Sequence, residues 1–325
     1  MQEFTIHQPS TLRDAAAAAA SRGTRYIAGG TDLLQLMKDN VEQPTRLVDL
    51  EQFGSAEIDA GGKTLRLGAM ARMSDVAAHD AVRDGWPVIS QALLASASPQ
   101  IRNMGTIGGN LLQRTRCGYF RDIGFACNKR KLGSGCPAIG GENRLMAILG
   151  GSEHCIATHA SDLAVALTAL DATLHLLGSD GAHREVSIGA FYRLPGNTPH
   201  IENTLLPGEM IASVTVPHGQ LASNSHYLKL RDRASFEFAL VSIAVAAEID
   251  GGTIRDIRLA AGGVGTRPWR LSEVETALRG KHPTEAVIRE AAARAGDGAR
   301  PSPRNRFKQT LLRAAVLRGL QTLAA

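Results

Sequence analysis

Apolar and polar positions change period several times along the chain, and those changes lay out an order of elements. Residues 4–6 read as a short strand and Pro9-Ser10 as a turn and cap. Residues 12–21 read as a helix rich in alanine, the best helix former. A second strand is predicted over 25–28; it runs into Gly29-Gly30-Thr31-Asp32 and then a helical pattern over 33–38. Strands follow over 45–50 and 64–68, and a capped helix over 74–82. Regular pattern returns over 162–176. Strands over 243–249 and 254–260 flank Asp250-Gly251-Gly252-Thr253, which reads as a hairpin turn. Helices are predicted over 272–279, 284–295 and 306–323. The last places Phe307, Leu311, Leu312, Ala315, Val316, Leu320 and Leu323 on one side. No internal repeat is visible.

This mixture defines an α+β chain, and its 325 residues exceed the usual size of one compact domain. A boundary is expected near 218–225, where Pro217-His218-Gly219 precedes the polar Ser223-Asn224-Ser225, giving units 1–220 and 221–325. A net charge of +5 spread over the whole chain reads as a solvated basic surface. A nucleic-acid-binding module would instead show a basic helix and more aromatic residues than the 4% found here. No apolar run approaches the length of a membrane span. The N-terminus lacks the basic start of a secretory signal, so a periplasmic location would require co-export with a signal-bearing partner; the alternative is the cytoplasm.

Between residues 113 and 159 the periodicity fails. This stretch holds every cysteine, Cys117, Cys127, Cys136 and Cys155, with many glycines and basic residues, and reads as a loop-rich functional insertion. Two disulfides, a zinc site or an iron–sulfur cluster would each use four cysteines. No pair has the short spacing common in zinc sites, and a chain of this size has little need of disulfides. Widely spaced thiolates can converge on a cubane cluster if the loop folds around it. The net charge of such a centre would call for cations or amide donors; Arg114, Arg116, Arg121, Lys129, Arg130, Lys131 and Arg144 are available, as are the backbone N–H groups of Gly118, Gly133 and Gly135. A solvated or partner-facing loop is the other use for those bases.

Two glycine turns stand out. Ala28-Gly29-Gly30-Thr31-Asp32-Leu33 sits at a helix entrance where N–H groups can converge on phosphate oxygens, although a tight strand-to-helix turn would need glycine too. Gln100-Ile101-Arg102-Asn103-Met104-Gly105-Thr106-Ile107-Gly108-Gly109-Asn110 has three glycines within five residues, which is hard to explain as an ordinary turn.

Together these turns resemble the FAD-binding domain of the molybdenum hydroxylases, the family of xanthine dehydrogenase, carbon monoxide dehydrogenase and the aldehyde oxidoreductases. The resemblance covers nearly the whole chain. It includes Leu67-Gly68-Ala69 with Ser74, Ser161-Asp162, Leu205-Leu206-Pro207-Gly208-Glu209, Tyr227-Leu228-Lys229, Phe236-Glu237-Phe238-Ala239, and Gly262-Gly263-Val264 with Pro268-Trp269-Arg270. It implies a two-subdomain FAD-binding domain of the PCMH type (1–58 and 59–220, the latter carrying the 113–159 insertion). A C-terminal domain with a small antiparallel sheet and packed helices would follow. By the same resemblance, residues 28–33 wrap the FAD pyrophosphate, Thr106, Gly109 and Asn110 lie along the ribityl and phosphate portion, and Ile107 lies near the flavin ring. Asp162 would bond the cofactor and Lys229 would lie near the isoalloxazine. The plainer readings are a helix N-terminal acid for Asp162 and a surface lysine on a strand for Lys229.

The insertion is similar to that of the bacterial heterotrimeric aldehyde oxidoreductases, in which counterparts of Arg116-Cys117, Cys127-Asn128-Lys129-Arg130, Gly135-Cys136 and Cys155 hold a [4Fe-4S] cluster. Hydroxybenzoyl-CoA reductases carry a related cluster with different spacing. The implied role is electron transfer: a large partner subunit holds a molybdenum cofactor, a small one holds two [2Fe-2S] clusters, and this chain passes electrons through FAD to an external acceptor. No catalytic constellation for substrate is visible, which speaks against a stand-alone FAD oxidase. The flavin subunit of a xanthine dehydrogenase or hydroxybenzoyl-CoA reductase is the nearer alternative.

Overall fold

The computed structural model describes residues 1–324, and their strands fall into three sheets. β1 (Thr5–His7), β2 (Thr24–Ile27) and β3 (Arg46–Asp49) form a parallel sheet in the order β1-β3-β2. Helices Leu12–Ala19 and Leu33–Lys38 lie between consecutive strands, as parallel pairing requires. Thr11 caps the first helix by accepting the Asp14 N–H at 3.0 Å, and Ala15 and Ala16 pack with Val48 beneath it.

β4 (Ile58–Asp59), β5 (Thr64–Gly68), β6 (Thr173–Leu177), β7 (His183–Ser187) and β8 (Met210–Pro217) form an antiparallel sheet in the order β4-β5-β8-β6-β7. A helical layer between β5 and β6 in sequence covers this sheet. Its innermost member, Asp162–Ala169, has every residue buried. A helix was expected over 74–82; instead two helices, Met73–Ala78 and Asp80–Gly85, meet at His79, whose extended backbone (φ −67°, ψ 120°) breaks the hydrogen-bond ladder. Helix Pro87–Ala95 and strand β8 had no counterpart in the sequence reading. β8 is the central strand and buries residues on both faces, so alternation is lost.

β9 (Ser225–Leu230), β10 (Val241–Asp250), β11 (Thr253–Gly262) and β12 (Trp269–Arg270) form the C-terminal antiparallel sheet, in the order β12-β11-β10-β9. Gly251 (φ +55°) and Gly252 (φ +74°) make the two-residue turn joining β10 to β11; both angles are left-handed, so glycine is the natural occupant. β10 is buried on both faces. Ala244 and Ala246 enter the core shared with helix Asp162–Ala169. Ile243 and Val245 enter a second core with Leu312, Val316 and Leu320 of helix Phe307–Ala324. Full burial of each larger side chain stabilises by about 1.5–3 kcal/mol. Gly319 lets this helix approach closely, since a Cβ there would sit 2.3 Å from Ile243 Cδ1. The sheet and packed helices match the α+β arrangement expected of this part of the chain. No helix among the described residues is long and apolar enough to cross a membrane.

The 113–159 stretch folds as loops with one helical turn, Gly118–Arg121. It is fastened to the C-terminal unit through backbone and a buried cation. The Ile148 N–H donates to Val264 O at 2.8 Å, and the Arg300 N–H to Ile148 O at 2.7 Å. Lys308 is fully buried, and its Nζ donates to Leu145 O, Met146 O and Gly263 O at 3.0, 3.1 and 2.6 Å. Burial lowers the Lys308 ammonium to about 7.

Candidate functional site

The two glycine turns, 76 positions apart at Gly29 and Gly105, meet in space. A Cβ on Gly29 would lie 1.8 Å from the Met104 carbonyl oxygen, so this contact between the turns is open only to glycine. Gly30 adopts φ +67°, which turns the chain from β2 into the helix beginning at Leu33. Ala28, Gly29, Gly30, Thr31, Asp32 and Leu33 are all half-buried. The backbone N–H groups of Gly29, Gly30, Thr31 and Asp32 have no protein acceptor among the described residues.

In the second turn the Ile107 and Gly108 N–H groups donate to Ala71 O and Ala69 O at 2.9 and 2.8 Å, stitching it to the end of β5. Thr106 caps the short helix Ile107–Leu111 by accepting the Gly109 N–H at 3.2 Å. Thr106, Ile107 and Asn110 are buried, while Gly109 is exposed. A Cβ on Gly109 would meet Thr106 Oγ1, the oxygen that caps this helix, at 3.0 Å and no other atom within 4 Å. Asn110 Oδ1 accepts Ser161 Oγ–H at 2.6 Å. Ile107, expected to lie near a flavin ring, is fully buried in the main core.

Asp162 and Lys229 are brought together. Lys229 Nζ lies 2.8 Å from Asp162 Oδ2 and donates to Ala95 O at 3.1 Å. Asp162 also accepts Ser96 Oγ–H at 2.9 Å and Tyr227 O–H at 2.6 Å. The Lys229 side chain is 3% exposed, which rules out the surface-lysine reading. Burial first, and then the neighbouring Asp162 charge, raise the Tyr227 phenol, so it stays a donor. Asp162 lines a cleft of about 340 Å³ with Arg116, His159, Phe238 and Gly263. His159 stacks edge-on against Tyr192 with centroids 4.4 Å apart, and burial lowers it to about 4, so it is neutral at pH 7.

The four cysteines are free thiols gathered in one apolar cluster with Leu36, Phe120, Met146 and Ala157. Nearby backbone amides favour the thiolates: those of Tyr119 and Phe120 at Cys117, of Ala138, Ile139 and Ile156 at Cys136, and of Ala157 at Cys155. Burial pushes the Cys117 thiol up to about 11 and also raises Cys136 and Cys155; the amides pull the other way. Among the described residues no group of three or more His, Cys, Asp or Glu side chains is drawn together into a site for a metal ion.

The basic residues are arranged differently from the expectation that they gather on the sulfurs. Arg116 and Arg121 pair with Asp32; Arg114 with Glu42 and Glu202; Arg144 with Asp232; Arg130 donates to the Tyr119 and Phe120 carbonyls. Lys129 lies 2.8 Å from Glu202 and still favours the Cys155 thiolate. The Gly135 N–H donates to Asn128 Oδ1 at 2.8 Å. Charge compensation near sulfur therefore falls mainly to non-glycine amides, which carry no mark in the sequence. The Asp32 carboxyl is raised by burial but held below its usual range by Arg116, Arg121 and the Arg114 N–H.

Sequence comparison defines the class. Residues 2–219 match the FAD binding domain in molybdopterin dehydrogenase, and residues 226–323 match the CO dehydrogenase flavoprotein C-terminal domain; the chain belongs to the FAD-binding subunits of the molybdenum hydroxylases. It is accordingly a subunit of an oxidoreductase. Within the family, the aldehyde oxidoreductase FAD-binding subunit PaoB of Escherichia coli K12 is 46% identical over 315 residues, covering 96% of this chain and 95% of that protein. The glyceraldehyde dehydrogenase medium chain of Sulfolobus acidocaldarius is 25% identical, covering 99% of each. In fold, the chain superposes on the reconstituted CO dehydrogenase from Oligotropha carboxidovorans with TM-score 0.77 at 23% identity, covering 99% of this chain and 98% of that one.

Proposed function

We propose that this chain is the FAD- and [4Fe-4S]-binding electron-transfer subunit of a molybdenum-dependent aldehyde oxidoreductase. It takes electrons from [2Fe-2S] clusters on a small partner subunit, which are fed by a molybdenum cofactor on a large one, and delivers them to an external acceptor. The similarity to an aldehyde oxidoreductase FAD-binding subunit over nearly the full length carries the aldehyde assignment. When bound, flavin exchanges single electrons for pairs, and a [4Fe-4S] centre adds a one-electron site.

The residues present fit both groups. The unpaired N–H groups of Gly29 to Asp32 suit phosphate oxygens, and exposed Gly109, with only Thr106 Oγ1 near the place of a Cβ, leaves room for a ligand at the second turn. Thr106 and Asn110 keep that turn in shape through the helix cap and the Ser161 bond. Asp162, anchored by Tyr227, Ser96 and Lys229, holds a fixed carboxylate at the cleft, and neutral His159 adds no charge there. Four free thiols in one apolar pocket, beside backbone amides that favour the thiolates, suit a polynuclear centre. Anaerobic addition of an aldehyde to the purified complex should bleach flavin and iron–sulfur absorbance together. Flavin that stays oxidised while the aldehyde is consumed contradicts the electron-transfer role.

A further inference from the structure

Asp32 closes the first glycine turn, yet the partners of its carboxylate come from the cysteine insertion. It accepts the Arg114 N–H at 2.8 Å, the Arg121 guanidinium at 2.7 Å and the Arg116 guanidinium. Arg116 immediately precedes Cys117, and Arg121 ends the helical turn that Cys117 caps. Arg121 also holds the backbone before that cysteine, its Nε donating to Thr115 O at 3.0 Å and its Nη2 to Arg114 O at 3.3 Å, while the Arg116 guanidinium reaches Gln113 Oε1 at 3.3 Å. Arg116 makes a third connection, lying 4.9 Å from the centre of the Phe238 ring across the cleft that Asp162 lines. Its Nε is buried without a hydrogen-bond partner among the described residues, a donor left over where a ligand acceptor would fit.

We infer that Asp32, Arg116 and Arg121 form a positioning strut that makes order in the flavin cradle conditional on an intact thiolate site. This rests on the reading of the glycine turns as an FAD cradle and of the cysteines as cluster ligands. Fixing Cys117 presents the two arginines as a pair; releasing it frees them and leaves a largely buried carboxylate uncompensated at the mouth of the first turn. Because coupling is reciprocal, bound FAD should in turn favour retention of iron.

The test is a double-mutant cycle on the full chain with its co-purified partners, reading the FAD dissociation constant together with iron content and melting temperature. Cys127→Ser touches neither arginine and should weaken FAD binding about tenfold or more, within the usual range of coupled sites. Arg116→Gln should weaken it similarly while iron is retained, and the double variant should be little worse than either single one. Should Arg116→Gln fail to fold, Arg116→Lys, which keeps the charge but not the two-pronged fork, takes its place in the cycle. Effects of the two changes that multiply, or a Cys127→Ser chain that binds FAD like the wild type, overturn the strut. Multiplying effects would shift the connection to packing of Leu36 beside Cys117. A wild-type chain with FAD but no iron overturns the cluster reading and the strut with it.

Discussion

The glycine cradle and the cysteine insertion are neighbours built by different means. The cradle is held by backbone: N–H groups stitched to Ala69 and Ala71, a Thr106 cap, and a glycine that lets two turns touch. The insertion has little regular structure; beyond a few backbone bonds to the C-terminal unit, side chains hold it: arginines on Asp32, Glu42, Glu202 and Asp232, and Lys308 on three carbonyls. The first draws its shape from its own backbone contacts, apart from the Asp32 end, which leans on the insertion's arginines. The second is a loop whose remaining organising force is the centre its cysteines would hold, so removing that centre should disturb it far more than removing FAD disturbs the cradle.

The largest expected effect comes from the insertion. Cys127→Ser or Cys136→Ser should abolish the cluster's absorbance and iron content and raise hydrogen exchange across 113–159, while the C-terminal sheet keeps its protection. Unchanged iron in both variants removes them as ligands. Next is the cradle, where two glycines should behave in opposite ways. Gly109→Leu should lose nearly all FAD while melting closer to the wild type than Gly29→Ala does, because its Cβ meets only the Thr106 hydroxyl. Gly29→Ala should melt earlier, because its Cβ meets the Met104 carbonyl. Equal loss of stability in both would erase the distinction between ligand space and packing contact.

Smaller effects separate the fastenings. Lys308→Ala should cost roughly 2–4 kcal/mol in urea unfolding, since three carbonyls lose a buried donor; a cost near zero would show that the insertion is held elsewhere. His159 supplies a pH signature. Its folded value of about 4 lies below the ordinary 6.5, so the unfolded chain takes up the proton first. Its contribution to stability is complete above pH 6.5 and falls as the pH drops toward 4; His159→Phe should flatten that part of the profile. The smallest effect is at the hairpin, where Gly252→Ala at φ +74° should cost about 1–2 kcal/mol without altering FAD or iron.

The same contrast explains what could be read in the sequence. Residues 33–38 and 64–68 coincide with observed elements, and the Asp250-Gly251-Gly252-Thr253 turn is where the two longest strands meet, because periodicity and turn chemistry are local. β8 and helix Pro87–Ala95 were not legible, as burial on several sides removes the polar face that marks a period. In the site, the glycine turns and the cysteines announced themselves by residue type. That Arg116 and Arg121 serve Asp32, some 84 and 89 positions away, did not, because ion-pair partners across a fold leave no local pattern. Nor did the burial of Ile107 and Lys229, which depends on the whole core.

The most direct test of the account is the metal and flavin content of the full chain purified anaerobically with its partners, with Mössbauer spectra assigned to this subunit by Cys→Ser variants. The account predicts one FAD and about four irons per chain in a single cubane centre that the Cys136→Ser variant lacks. Four free thiols with no iron, in a chain that retains FAD, would contradict it.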